Sequence, residues 1–469
     1  MLLSVTMRHD ALRDRRRRRS RLPAGAISFL LLVAAALGPA NAQTPGEGAN
    51  PDPSTSGKPI TLEEAIRRAQ ANEPAYAASS AESRATALDR SIARAGLLPG
   101  VVYHNQALYT QPNGQKGQGV NSQTMQKFIA NNAVREYASQ AVINETLGLG
   151  QFAGVRRADA EAARAAAELE IARRGLVEAV TGLFYGSIAA DNKLAVAERA
   201  HREATDFTGL TSKREQAREA AHADMVKAQL AEQQRERDLA DVKVAAEKAR
   251  LELGVLLFPD PRTPYTLAAA GDTPELASRA EIEQAAAKNN PELKSALASL
   301  NVTNASVLAA RAAYLPDLGM NVTYGIDSPQ FAVNGPDRVR NLGYSASVTL
   351  DIPVWDWLST QHKVKQSEIR RDAARVSLTT AQRRLIARLD EAYSEAVTAR
   401  DQLASLDASV ATAAESLRLT KLRYTGGEAT VLEVVEAQNA FVSIQNARED
   451  GRVRYQAARA NLETLTGTM

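Results

Sequence analysis

The stretch Asn341-Leu342-Gly343-Tyr344-Ser345-Ala346-Ser347-Val348-Thr349-Leu350-Asp351-Ile352 alternates without a break. Leu342, Tyr344, Ala346, Val348, Leu350 and Ile352 are apolar, and small or polar residues separate them. A period of two places each kind on its own face of a β-strand. Upstream, Leu318, Met320, Val322, Tyr324 and Ile326 alternate in the same way with Asn321, Thr323 and Gly325. Between the two runs, Ser328 to Arg340 carries Pro329, Gly335 and Pro336 and reads as a loop. These are two strands, each with one apolar and one polar face.

Working outward, the chain repeats itself. Ala69-Gln70-Ala71-Asn72-Glu73-Pro74 matches Ala286-Ala287-Lys288-Asn289-Asn290-Pro291 at an offset of 217, and Leu98-Pro99 matches Leu315-Pro316 at the same offset. The match predicts an equivalent strand pair in the first half, near Val101–Tyr109 and Arg135–Leu147. Its connecting loop, Gln111 to Gln123, is longer and rich in Gly, Gln and Asn. Each half reads as helix, strand, loop, strand, long helix, turn, long helix. The two repeats are placed at 60–265 and 275–469, with helical hairpins at about 153–257 and 358–466.

Proline is absent between Pro112 and Pro259 and after Pro353. Proline breaks helix interiors, so long helices fit these two gaps. Ala, Glu, Arg, Leu and Gln dominate there, all good helix formers. One seam runs through Leu385, Leu389, Ala392, Ala396, Ala399, Leu403, Leu406, Val410, Ala413, Leu417, Thr420 and Tyr424, its steps alternating between four and three. That is a heptad stripe of a left-handed coiled coil, although a single-chain helical bundle has the same pattern. About 55–60 residues at ~1.5 Å rise predict rods of roughly 85–90 Å.

Lys and Arg number 57 against 54 Asp and Glu, and much of the basic excess lies in Arg15–Arg19 and Arg21. The apolar run Ala24 to Leu37 and Ala40-Asn41-Ala42 follow. A basic region, a short apolar region and an A-x-A site make residues 1–42 a signal peptide, cut before Gln43. A basic nucleic-acid arm with a membrane anchor is the alternative, but the run falls short of the ~20 residues needed to span. Residues 43–59 are a Pro/Gly/Ser-rich leader. The chain has no cysteine, which excludes disulfides, thiol chemistry and thiolate metal sites. No later apolar run reaches the length of a spanning helix, so membrane entry requires β-strands.

Four strands of about ten residues match the ~9–11 that cross a bilayer as tilted β. Four cannot close a barrel, since the smallest have about eight, and open edges are not tolerated in hydrocarbon. Strands that enter a membrane here must share one barrel with other copies. The soluble alternative is a half-buried antiparallel sheet packed on helices.

The sequence resembles the TolC-like outer-membrane efflux proteins over nearly all of the mature chain. The marks are Leu62-Glu63-Glu64-Ala65 with the Asn72-Glu73-Pro74 turn, the two Leu-Pro strand entries, Leu350-Asp351-Ile352-Pro353-Val354-Trp355-Asp356, and the run Leu422 to Gln438 (LRYTGGEATVLEVVEAQ). Each is loose alone; their order, spacing and duplication are specific together. The resemblance implies a mostly α chain with a membrane β-barrel portion: a trimer sharing a twelve-stranded barrel on an α-helical coiled-coil tunnel. It implies a passive outer-membrane exit channel for small toxic compounds, with no catalysis and no cofactor; the absence of cysteine excludes the lipid-anchoring Cys that many relatives of this type carry after the cleavage site. The partners it implies are a periplasmic adaptor, an inner-membrane transporter and outer-membrane lipid, with no nucleic acid.

The same resemblance assigns site residues. Glu433 and Glu436, spaced to share a helix face, would form the acidic periplasmic gate. In three copies they give two carboxylate rings that admit cations and resist anions; the alternative is two solvated surface glutamates. Tyr424 matches the tyrosine of a closed-state bridge and Asp224 its acidic partner. The basic residue expected near Ala429 is missing, and Arg218 is the candidate substitute. The tips Ala217-Arg218-Glu219 and Gly426-Gly427 would dock the adaptor, and the first departs from the usual Val-Gly-Leu type of turn.

Other signals carry less. His201 and His222 flank the first tip without a clustered third metal ligand. Gly148 to Gly154 lacks the spacing of a phosphate loop. Trp355 and Trp357 fit either an interfacial aromatic anchor or simple packing. Competing functions are the exit duct of a type I protein-secretion system, a periplasmic coiled-coil scaffold or adaptor, and an exported enzyme. An adaptor should show one hairpin flanked by lipoyl-like β segments, and this chain shows two hairpins; the enzyme lacks a convergent polar site.

Overall fold

The computed structural model describes residues 59–109, 135–269, 276–335 and 339–467. The expected signal peptide, the expected leader up to residue 58 and the loop Gln111–Gln123 lie outside them.

Each repeat opens with two short helices joined at the Asn-x-Pro turn. Thr61 caps α1 (Leu62–Asn72) by accepting from the Glu64 N–H, and Pro74 starts α2 (Pro74–Ala95). Proline suits a first helical position because its missing N–H would have no partner there. In the second repeat Ser278 and Glu281 form a capping box on α5 (Arg279–Asn289), and Asn290 caps α6 (Pro291–Ala312). Both second helices stop short of Leu-Pro, where the residue before proline is driven to extended backbone.

Strands β1 (Gly100–Tyr109), β2 (Arg135–Leu147), β3 (Asp317–Ser328) and β4 (Leu342–Asp351) form one antiparallel sheet in sequence order. The register aligns like with like. Leu318 faces Leu350, Met320 faces Val348, Val322 faces Ala346 and Tyr324 faces Tyr344. Across β2–β3, Leu147 faces Leu318 and Ile143 faces Val322. One face is thus largely apolar, and the opposite face carries His104, Gln140, Asn144, Thr323, Ser345 and Thr349. The first repeat interrupts the apolar face with Glu145 and with a cluster in which the Ser139 hydroxyl lies 2.7 Å from the Tyr103 hydroxyl and donates to Asn105 at 2.8 Å. Edges β1 and β4 have no strand partner among the described residues.

Helix α3 (Leu149–Gln216) spans 68 residues and α7 (Ser359–Thr425) spans 67, while the return helices α4 (His222–Leu257) and α8 (Val431–Thr466) span 36 each. The forward rods therefore reach about 100 Å at ~1.5 Å rise, longer than the sequence estimate. The reason is that α3 starts directly after β2, and α7 only a short linker after β4. Each return helix covers about half of its forward partner, and the short helices pack along the remainder. Helix α6 lies between α3 and α7, whereas α2 packs on α3 and leaves Leu88 and Ile92 exposed.

Two apolar clusters sit where the helices overlap, around Leu176, Val180, Phe184, Leu253 and Leu257, and around Ile282, Leu389, Ala396, Leu462 and Leu465. Buried Arg174 ties α3 to the end of α8. It pairs with Glu170 at 2.6 Å and donates to the Thr464 carbonyl at 3.0 Å, while Asn290 donates to Leu465. These bonds satisfy carbonyls that a helix end leaves without intrahelical partners. Gly467 ends α8 at φ 73°, and a Cβ there would lie 2.7 Å from the Arg174 guanidinium.

Candidate functional site at the hairpin tips

The two hairpin tips are built alike. At the first, the Glu219 N–H bonds the Arg214 carbonyl and the Arg218 N–H bonds that of Glu215. At the second, the Glu428 N–H bonds Arg423 and the Gly427 N–H bonds Tyr424. This crossed pair of bonds is the Schellman ending of a helix, which requires a left-handed residue. Arg218 (φ 63°) and Gly427 (φ 79°) fill that position. Ala217 and Gly426 precede it as right-handed C-caps, and Glu219 and Glu428 follow it.

Tyr424 is buried beneath the tips in a cluster with Phe207, Ala228, Val431 and Val434. Its ring lies 5.0 Å from that of Phe207, and its hydroxyl is 3.2 Å from the Thr211 hydroxyl. Arg214 stacks over the same ring at 5.0 Å, donates to the Tyr424 carbonyl, and lies 3.6 Å from Glu219. Within one subunit, then, the structure brings Tyr424 together with Arg214 and Thr211. Asp224 pairs with Lys227 at 3.4 Å, and among the described residues Arg218 makes no ion pair.

Glu433 is the third residue of α8 and completes a capping box. Its carboxylate accepts from the Thr430 N–H and hydroxyl at 3.1 Å each, and Arg423 lies 3.4 Å away. The Thr430 bonds, with help from Arg423, hold the Glu433 carboxyl below the usual carboxylate range. Glu436, one turn on, is exposed. The two glutamates share a face, but Glu433 has structural work that Glu436 lacks.

Comparison with known proteins follows this geometry. The model of the family described as outer membrane efflux protein matches residues 282–468, which include the second sheet pair, the second hairpin and its tip. Over this second half the chain is similar to the outer membrane efflux proteins. Protein CyaE of Bordetella pertussis is 26% identical over 402 residues, covering 84% of this chain and 81% of that protein. The proteases secretion protein PrtF of Dickeya chrysanthemi is 26% identical over 190 residues, 39% of this chain and 40% of its own. The fold is similar to the Campylobacter jejuni CmeC outer membrane channel, with a TM-score of 0.71 at 15% identity, covering 87% of this chain and 85% of that one.

Arg214, Thr211 and Phe207 are tip residues that the sequence alone did not single out. A signal for Arg214 was present: Arg214-Glu215-Gln216-Ala217-Arg218-Glu219 and Arg423-Tyr424-Thr425-Gly426-Gly427-Glu428 share an arginine and a glutamate at equal spacing. In both, the arginine carbonyl accepts the bond that closes the turn. His222 Nδ1 lies 2.7 Å from Glu215, and so sits in the first turn's own bonding.

Proposed function

We propose that the chain is one subunit of a passive trimeric outer-membrane exit channel that carries small toxic compounds across the periplasm and outer membrane. The observation that carries this reading is an unfinished repeat. Within the chain, the second repeat joins the first through β2–β3 pairing and through α6 packed between α3 and α7. The first repeat has the same surfaces with nothing on them among the described residues: the free edge of β1 and the open side of α2. The second repeat ends in the complementary pair, the free edge of β4 and the outer side of α7, where Val376 and Ile386 are exposed.

Strand order makes β4 antiparallel to the β1 of a next copy. The contact that joins repeats can therefore join copies, head to tail, until a ring closes. A closed ring removes the sheet edges that a bilayer forbids. Three copies give twelve strands, with the apolar face toward lipid and the polar face toward a water-filled lumen. Glu433 and Glu436 then form carboxylate rings at the periplasmic end. Tyr424, Asp224 and Arg218 are the candidates for an inter-hairpin bridge that holds the closed end, Arg214 ties the hairpins of each subunit, and the tips receive a periplasmic adaptor coupled to an inner-membrane transporter.

A second reading, the exit duct of a type I protein-secretion system, draws support from the similarity to a proteases secretion protein. Deleting the protein and comparing sensitivity to toxic compounds with secreted protein separates the two. The test of the main reading is envelope fractionation followed by native mass of the detergent-extracted protein. A heat-sensitive trimer in the outer-membrane fraction is expected. A soluble periplasmic monomer would overturn the channel and favour a scaffold.

A further inference from the structure

All four long helices border one small cleft. Val196 and Arg199 come to it from α3, Arg235 from α4, Leu417 from α7, and Gln438 and Phe441 from α8. Gln438 lies one helical turn beyond Val434 of the Tyr424 cluster, and Glu203, also on the wall, one turn before Phe207. The cleft has a volume of about 40 Å³. A single water needs about 10–15 Å³, so a few waters or one small ion fill it. Drug-sized ligands need about 300–1,000 Å³, and no transported compound of that size fits.

Its walls hold donors and too few acceptors. Gln438 is more than nine-tenths buried, and its Nε2 has no hydrogen-bond partner among the described residues. Buried side-chain donors are seldom left in that state. Arg199 makes no ion pair among the described residues, and its Nε donates to the Ala195 carbonyl of its own helix at 3.2 Å. Arg235 pairs with Asp238 at 3.2 Å and donates to Asn439. The Glu203 carboxylate is held by Lys421 at 2.7 Å. Three cations, Arg199, Arg235 and Lys421, thus stand against two carboxylates, Glu203 and Asp238, and the unmatched charge is Arg199. That residue is exposed, so solvent ions reach the cleft past it. Water would satisfy the amide alone. An anion satisfies the amide and the unmatched guanidinium together.

We infer that the cleft is a site for a small monovalent inorganic anion of chloride size, bound between the Gln438 amide and the Arg199 and Arg235 guanidiniums. The arginines belong to the first hairpin and Gln438 to the second, so the anion ties the two hairpins of one subunit together beside the Tyr424 cluster. Val196, Leu417 and Phe441 supply an apolar wall, and a less polar surround strengthens a charged hydrogen bond. The site is complete within one subunit and does not depend on ring closure. It makes the grip between the hairpins sensitive to which anion is present. Screening of the Lys421–Glu203 pair, by contrast, depends on ionic strength alone.

The test uses the full protein, extracted in a neutral detergent, with chloride as the probe. Sodium gluconate at matched ionic strength supplies a monovalent anion too large for the cleft. The protein should broaden the chlorine-35 resonance, and added bromide should reverse the broadening by competition. Gln438→Leu and Arg199→Gln should lose this broadening. Arg202→Gln removes the same charge from α3 outside the cleft and should keep it. The unfolding midpoint should rise with chloride and stay level in gluconate, in the unmodified protein and Arg202→Gln alone. Circular dichroism checks that each variant is folded, and Arg199→Gln, at an exposed position, carries the test if Gln438→Leu does not fold. Equal broadening and equal midpoint shifts in all the folded proteins would overturn the site and leave a water-filled cleft. A midpoint that rises as much in gluconate as in chloride would overturn it as well.

Discussion

Arg218 and Gly427 occupy equivalent points in the two hairpin turns, both left-handed, at φ 63° and 79°. Glycine takes that conformation freely, whereas a residue with a Cβ is disfavoured by ~1–2 kcal/mol. Arg218→Gly is expected to stabilise the first tip by about 0.5–1 kcal/mol, after allowance for the looser unfolded chain. Gly427→Ala should cost about 1 kcal/mol through backbone strain, because the added Cβ would come no closer than 3.8 Å to its neighbour, Arg214. Unfolding midpoints of the detergent-extracted protein check both. Equal signs for the two changes would contradict the equivalence.

The clasp beneath the tips rests more on Arg214 than on the Tyr424 hydroxyl. Tyr424→Phe removes one hydrogen bond to Thr211, about 0.5–1.5 kcal/mol. Arg214→Ala removes a carbonyl bond and the stack over the ring together, and Arg214→Lys should not restore the planar contact. Hydrogen exchange of the amides from Arg423 to Glu428 should speed up most in Arg214→Ala, nearly as much in Arg214→Lys, and least in Tyr424→Phe.

Glu433 caps a helix as well as facing the proposed pore, so the charge must be removed without removing the cap. Glutamine at this position keeps the capping bonds. Glu433→Gln with Glu436→Gln is expected to lower cation selectivity in planar bilayers while leaving thermal stability unchanged. Because its carboxyl is held below the ordinary glutamate value of 4.5, Glu433 alone should keep selectivity in a Glu436→Gln channel as pH falls through that value. Reversal potentials that do not move in the double variant would remove both residues from the gate.

Glu170 gives a pH signature of the helical body. Hydrogen bonding by Arg173, joined by Arg174, lowers its carboxyl from 4.5 to about 2. A depressed folded value means that stability is present above 4.5 and is lost as pH falls from 4.5 toward about 2. Glu170→Gln should flatten the acid dependence of unfolding in that window, and should also loosen the end of α8, since Arg174 holds Thr464. An unchanged acid limb would assign the acid sensitivity elsewhere.

Much of the architecture is legible in the sequence because periodicity is a local consequence of which face is covered. The alternating runs at Leu318–Ile326 and Leu342–Leu350 lie in β3 and β4. Every residue of the seam from Leu385 to Tyr424 is buried or half-buried. What the sequence does not carry is what depends on distant partners. The forward helices outrun their returns because α2 and α6 take over as neighbours, and no local pattern encodes that. The left-handed Arg218, Trp357 and Leu358 are equally hidden, since residue type argues against each. Arg214 reads as one more surface cation until the fold sets it on Tyr424.

The most direct test of the head-to-tail ring uses the absence of native cysteine. Val348→Cys on the edge of β4 would be combined in turn with Val101→Cys, Tyr103→Cys or Asn105→Cys on the edge of β1, and oxidised in the outer membrane. The account predicts that at least one pair links neighbours and that the ladder of linked species stops at three subunits. No linked species from any pair, or a ladder that continues past three, would contradict it.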